Sequence, residues 1–230
     1  MADAVCIIPA RGGSKRIPRK NVLPFCGKPM IAWSIDAAIK SNLFTQIVVS
    51  TDDEEIAAIA RASGAQTPFI RDASLADDLT GTQPVIADAI ERLGLADDVA
   101  VCCLYPTAPF VTPESLRNGA AAQDEAPGFA MTVTAFSFPV QRGLLLDGSH
   151  LTPREPQHMT ARSQDLDEVY HDAGQFYWAR AAVWCDPGQK IWEDARPVIL
   201  PPWQVQDIDT PDDWRQAELK MAALADMQDQ

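Results

Sequence analysis

Three short runs in this chain are apolar on both faces, and each precedes a segment with apolar residues at helical spacing. Val5-Cys6-Ile7-Ile8 ends at Pro9, and Ile47-Val48-Val49-Ser50 and Val99–Leu104 repeat the pattern. Continuous apolar runs of this length read as strands buried on both sides. After the first, Pro29 suits the first position of a helix whose apolar face is Ile31, Ile35, Ala38 and Ile39. After the second, Asp52 and Asp53 stand where a helix takes acidic caps, with Ile56, Ala57, Ile59 and Ala60 on one side and Gly64 at its end. Such alternation predicts a mainly parallel sheet with helices on both faces, a three-layer α/β/α fold.

Further helices are expected over Pro84–Leu93, stopped by Gly94, and over Pro113–Ala122; Met131–Phe136 is rich in β-formers. Ser137–Asp172 breaks the rhythm with Pro139, Pro153 and Pro156 and no clean period. The expectation is a single domain over residues 1–230 with an inserted arm at about 138–165. Gln175–Trp178, Val198–Leu200 and Val205–Ile208 read as short strands, and Thr210-Pro211-Asp212-Asp213 as the start of a last helix running to about Met227.

Charge narrows the function. The chain carries 19 Lys+Arg against 32 Asp+Glu, a net charge of −13. That makes it a poor general binder of nucleic acid or anionic membrane. Yet residues 1–35 hold six cations (Arg11, Lys15, Arg16, Arg19, Lys20, Lys28) against Asp3. A cationic island in an acidic protein suits a small, highly charged ligand such as a nucleotide triphosphate. No segment reads as a transmembrane helix or signal peptide, and the five cysteines lack CxxC spacing, so a cytoplasmic protein with reduced thiols is expected.

Five places carry candidate chemistry. The first is the loop after the first strand, Pro9-Ala10-Arg11-Gly12-Gly13-Ser14-Lys15-Arg16-Ile17-Pro18-Arg19-Lys20-Asn21. It lies at the carboxyl edge of the predicted sheet, where open α/β folds bind ligands. Gly12 and Gly13 would let backbone N–H groups approach phosphate, and Asn21 offers a donor and an acceptor to a ribose or base. Neither GxxxxGK[ST] nor GxGxxG is present; an ordinary basic loop is the plain alternative. The second is Asp207-Ile208-Asp209. In an extended segment both carboxylates face one way and suit Mg²⁺, with helix capping by Asp209 as the alternative. The third, Leu75–Thr82, offers Thr80 and Thr82 to a base or ribose, or to a helix cap. The fourth is Tyr105-Pro106-Thr107-Ala108-Pro109-Phe110, at the end of the third strand. The fifth is His171 with Asp172, Gly174, Gln175 and Tyr177; a lone histidine is more often a structural hydrogen-bonder than a catalyst.

The strings IIPARGGSKRIPRKN and GKPMIAWSI, with VVSTDDEEIA, LADDLTGT, LYPTAPF and DIDTPDDW in order along the chain, resemble the acylneuraminate cytidylyltransferase family. RSQDLDEVYHDAGQFYW (162–178) is similar to its pseudaminic acid branch. The resemblance implies a nucleotide-diphospho-sugar-transferase-like fold and transfer of CMP from CTP to a nine-carbon acidic sugar, pseudaminic acid being favoured, with release of pyrophosphate. N-acetylneuraminic, legionaminic or a related ulosonic acid is the alternative, and a non-catalytic nucleotide-binding module the distant one. It implies catalytic roles for Arg11, Lys20 and Asp209. The nucleotide would meet Ala10, Arg11, Gly12, Gly13, Ser14, Lys15, Lys20, Asn21, Thr80 and Thr82, and Mg²⁺ would meet Asp207 and Asp209. The sugar would meet Tyr105, Arg162, Gln164, His171, Gln175 and Tyr177. Family members often carry Gln where Tyr105 stands, and relatives acting on neuraminic acid commonly carry Arg where His171 stands. The arm would cross between the subunits of a homodimer, with Arg162 as a candidate clamp for the sugar's carboxylate.

Overall fold

The computed structural model describes residues 4–77, 79–125 and 128–228. Strand β1 (Ala4–Pro9) leads into the basic loop and a two-stranded hairpin, β2 (Pro24–Phe25) and β3 (Lys28–Pro29). Then come α1 (Met30–Ser41), β4 (Phe44–Ser50), α2 (Glu54–Ala62), α3 (Thr82–Leu93), β5 (Ala100–Leu104), α4 (Pro113–Asp124) and β6 (Ala130–Ala135). The remainder is β7 (Leu144–Asp147), β8 (His150–Pro153), β9 (Tyr170–Arg180), α5 (Ala181–Cys185), β10 (Arg196–Ile199) and α6 (Pro211–Gln228). Pro29 caps α1 rather than opening it, and Asp53 caps α2 by accepting from the Glu55 and Ile56 amides.

The main sheet has the order β10-β6-β9-β5-β1-β4. β4 and β5 flank β1 in parallel, β10 runs parallel to β6, and β9 is antiparallel to both β5 and β6. Each central strand is buried on two sides, as its apolar run requires. Cys6, Ile8, Cys102, Leu104, Phe176 and Trp178 face Ile31 and Ile35 of α1, Ile56 of α2 and Leu116 of α4. Val5, Ile7, Val101, Cys103 and Tyr177 face Ile86 and Ile90 of α3 and Trp184 of α5. The expected α/β architecture is therefore present, with one strand reversed.

A third, smaller cluster places the functional elements. Ile17 from the basic loop, Phe25, Met30, Phe110, Ile208 and Ala217 pack together, with Trp33 and Trp214 against them. The Phe25 and Trp214 rings meet edge-on at 5.3 Å. This apolar anchor brings the amino-terminal loop and the segment before α6 into one corner of the molecule.

Two expectations differ. Val205–Ile208 is not a strand: Pro202–Gln204 forms a short 3-10 turn, and residues 205–209 follow with no sheet partner. Two lysines satisfy carbonyls there instead, Lys220 donating to Val205 O at 2.7 Å and Lys20 to Ile208 O at 2.5 Å. Side chains still alternate, with Ile208 buried and Asp207 exposed. In addition, β9 extends well beyond Gln175–Trp178, and β7 and β8 form a separate hairpin exposed along its whole length. Among the described residues no helix is long and apolar enough to cross a membrane. All five cysteines are free, and burial pushes the Cys102 and Cys103 thiols well up.

Candidate active site at the carboxyl edge of the sheet

A cavity of 680 Å³ opens where β1 and β5 end. The basic loop forms one wall. Ala10 N–H donates to Ser50 O, Asn21 Nδ2 donates to Arg11 O at 2.9 Å, and Asn21 O accepts from Ile31 N–H. The buried Asn21 amide thus fastens the loop, spending one of its donors on its own backbone rather than on a ligand. Arg11, Ser14, Lys15, Arg16 and Lys20 all line the cavity. Arg11 reaches across it, donating to Asp77 O at 2.6 Å.

Gly12 is held by the acidic residues before α2. Gly12 N–H donates to Asp52 Oδ1 at 2.9 Å, so this carboxylate holds the loop and leaves the helix cap to Asp53. A Cβ on Gly12 would lie 2.8 Å from Asp53 Oδ2, whereas one on Gly13 would meet nothing within 4 Å. A side chain at Gly12 would press on Asp53 at the start of α2. Ala10, Gly12 and Gly13 do not line the cavity; they shape the loop behind it.

The opposite wall is the start of α3. Gly81 caps that helix without a side-chain bond, and Gly81, Thr80 and Thr82 line the cavity. Uncapped amides at a helix N-terminus favour an anion. Thr80 N–H donates to Asp77 Oδ1 at 2.6 Å, and hydrogen bonding by Thr80, through its side chain first and its N–H second, lowers the Asp77 pKa. Asp78, in the same loop, lies outside the described residues.

Asp209 of the acidic pair closes the third side, while Asp207 lines an adjoining cavity. Asp209 Oδ2 meets Arg16 at 2.8 Å, and its Oδ1 meets Lys20 at 3.2 Å. Asp209 does not cap α6. Thr210 and Asp213 do that reciprocally, Asp213 N–H donating to Thr210 Oγ1 and Thr210 N–H to Asp213 Oδ2. Asp207 has its pKa raised, first by burial and then by the Asp209 carboxylate, with Lys20 opposing. Two carboxylates that crowd each other, each with lone pairs to spare, are a donor set that accepts a hard divalent cation.

Tyr105 stands between this cavity and two others of 650 Å³, and lines all three. Its hydroxyl bonds Thr82 Oγ1 at 2.7 Å, its ring meets that of Tyr177 edge-on at 5.5 Å, and burial pushes its pKa up to about 12. Tyr177 donates to Asp172 Oδ2 at 2.6 Å, and burial raises its pKa too. Asp172 Oδ1 accepts from the N–H of Gly174, whose φ of +61° marks an irregularity in β9. His171 and Asp172 line both smaller cavities.

Three expected sugar contacts do not line these cavities of their own chain. Gln175 is buried, lines none of these cavities, and donates to Gln204 O at 2.7 Å. The irregularity around Gly174, where Val133 pairs with Asp172 while Met131 pairs with Tyr177, turns it to the other side. Arg162 and Gln164 flank or lie in the short turn Ser163–Asp165 and line none of the three cavities. Sequence reasoning also missed Arg71. It is 4% exposed, lines the large cavity, lies 3.7 Å from Asp52, and has an unpartnered Nε. A single arginine in an otherwise unpatterned loop gave no signal of this.

A family profile described as "Cytidylyltransferase" matches residues 5–141. The chain belongs to the cytidylyltransferase family. It is 40% identical over 220 residues, 94% of each chain, to a pseudaminic acid cytidylyltransferase of Campylobacter jejuni subsp. jejuni. It is 32% identical over 222 residues, covering 94% and 95% of the chains, to a CMP-N,N'-diacetyllegionaminic acid synthase of Legionella pneumophila subsp. pneumophila. The fold matches a CMP:2-keto-3-deoxy-manno-octonic acid synthetase complexed with CTP, with TM-score 0.72, 20% identity, and 96% and 99% of the two chains covered.

The cytidylyltransferase loop thus depends on one close contact that substitution can probe. Gly12→Ala should weaken CTP binding by about tenfold or more, because Asp53 or the loop must shift. Gly13→Ala should leave it within about twofold. Calorimetric titration of CTP reads both, and equal effects would contradict the assigned role of Gly12.

Proposed function

We propose that this cytidylyltransferase moves CMP from CTP onto a nine-carbon acidic sugar of the pseudaminic acid type, releasing pyrophosphate. The observation that carries this reading is the convergence of Arg16 and Lys20 on Asp209, which brings the basic loop and one carboxylate of the acidic pair to the same cavity, with Asp207 lining the adjoining one. The 40% identity to the Campylobacter enzyme, over nearly the whole of both chains, supports the choice of acceptor. The Legionella relative keeps a diacetyllegionaminic acid as the second reading.

In this reading the triphosphate lies along Arg11, Lys15, Lys20 and Arg71, with its anionic end toward the start of α3. Asp207 and Asp209 would hold Mg²⁺, which when bound would supply charge neutralisation and a more acidic attacking hydroxyl. The acceptor's anomeric oxygen attacks the α-phosphorus, and the bond to the bridging oxygen of the pyrophosphate breaks. The protein contributes position and fixed positive charge, Arg11 and Lys20 stabilising the leaving group. The acceptor occupies the cavities beyond Tyr105. One of these has an apolar side formed by Met131, Val133, Ile191 and Trp192, which suits acyl groups. The reduced cysteines accord with a cytoplasmic enzyme.

The exposed hairpin is the homodimer contact in this reading. Leu144, Leu145, Leu146 and Leu151 are at least half exposed, and an isolated two-stranded hairpin needs cover to be stable. A second copy would supply that cover and bring Arg162 and Gln164 toward the partner's sugar site.

Pyrophosphate release from CTP should require an acidic sugar, favour pseudaminic over neuraminic acid, and cease with EDTA. Asp209→Asn should lower turnover at least about 100-fold. Undiminished release with EDTA or in that variant would contradict the metal assignment, and a preference for neuraminic acid would contradict the acceptor. Light scattering of a Leu145→Asp, Leu151→Asp variant should give the monomer mass; a mass still twice that value would overturn the role of the hairpin.

A further inference from the structure

The cavity beside Asp207 poses an electrostatic problem. Asp207 and Asp172 both line it, and they would repel an acidic ligand. Among the described residues that line it, Lys220 of α6 is the only Lys or Arg. Arg162, expected to reach the sugar from a second copy, is not in the wall that this chain builds.

Lys220 is held in place. Its Nζ donates to Val205 O at 2.7 Å and to Gln206 Oε1 at 3.1 Å, and lies 5.9 Å from the centre of the Phe110 ring. Both acceptors are neutral. An ammonium has three donors, so one remains, together with an uncancelled charge. Burial lowers its pKa, the mark of an ammonium partly stripped of water. Among the described residues no carboxylate pairs with it.

The reaction itself fixes where the acceptor's carboxylate must be. In a 2-keto sugar acid the carboxylate is attached to the carbon that bears the attacking hydroxyl. If that hydroxyl meets the α-phosphate beside Asp207 and Asp209, the carboxylate lies within a few bonds of the same point. We propose that Lys220 binds the acceptor's carboxylate and so selects acids over neutral sugars, an inference that rests on the function proposed above. Lys220 thereby has a second use for a side chain that also supports the segment leading into Asp207.

The test separates these two uses by binding alone, without turnover. Pseudaminic acid and its C1 amide are titrated calorimetrically into the wild-type protein, Lys220→Met and Lys220→Arg. The wild type should prefer the acid by about 10- to 100-fold, the worth of a charge-assisted hydrogen bond. Lys220→Met should lose most of the preference for the acid, and Lys220→Arg should keep most of it. A preference retained in Lys220→Met, an equal loss for acid and amide, or no binding of either sugar by the wild type would overturn the proposal. Sugar binding with this preference but no pyrophosphate release would instead overturn the reaction and leave the Lys220 contact standing.

Discussion

The contact between Asp209 and the two cations Arg16 and Lys20 joins segments 189 residues apart in the chain. Its energy is modest. The Arg16 side chain is 67% exposed, and such pairs are worth about 0.2–1 kcal/mol. Its position matters more, and that position comes from apolar packing. Ile17 lies next to Arg16, and Ile208 lies between the two aspartates; both are buried in one cluster with Phe25 and Met30. Burial of a side chain of this size contributes about 1.5–3 kcal/mol, so the hydrophobic pair sets the geometry that the charges then use.

The sheet supplies the other half of the arrangement. Parallel β1 and β5 end at the same edge, delivering the basic loop and Tyr105 to opposite sides of one opening. The reversed strand β9 then brings His171 and Asp172 to that edge from the other direction. Tyr105, bonded to Thr82 and packed on Tyr177, is the partition between a cationic chamber and the two chambers beyond. Two ligands can therefore be held side by side on either face of Tyr105.

Much of this was legible because it is locally encoded. The apolar runs Val5–Ile8 and Val99–Leu104 declare strands buried on both faces, and the cations between Arg11 and Lys20 declare an anion site wherever the first strand ends. What escaped depends on distant partners. Nothing in the Tyr170–Trp178 pattern tells an antiparallel strand from a parallel one. The irregularity at Gly174 shifts the register, so Gln175 turns to Gln204 and away from the cavities beside Tyr105. Asp52 and Asp53 look alike in sequence, yet one caps α2 and the other holds Gly12. Val205–Ile208 reads as a short strand with an apolar residue at each end, but two lysines take up its carbonyls in place of a neighbouring strand.

The central claim is that the basic loop and the acidic pair form one site for a metal-bound nucleotide. Mn²⁺ binding followed by electron paramagnetic resonance, with and without CTP, tests it most directly. The account predicts that CTP and the protein together hold Mn²⁺ far more tightly than either alone, and that Asp209→Asn removes this gain. Mn²⁺ affinity indifferent to CTP, or unaltered by that substitution, would contradict it.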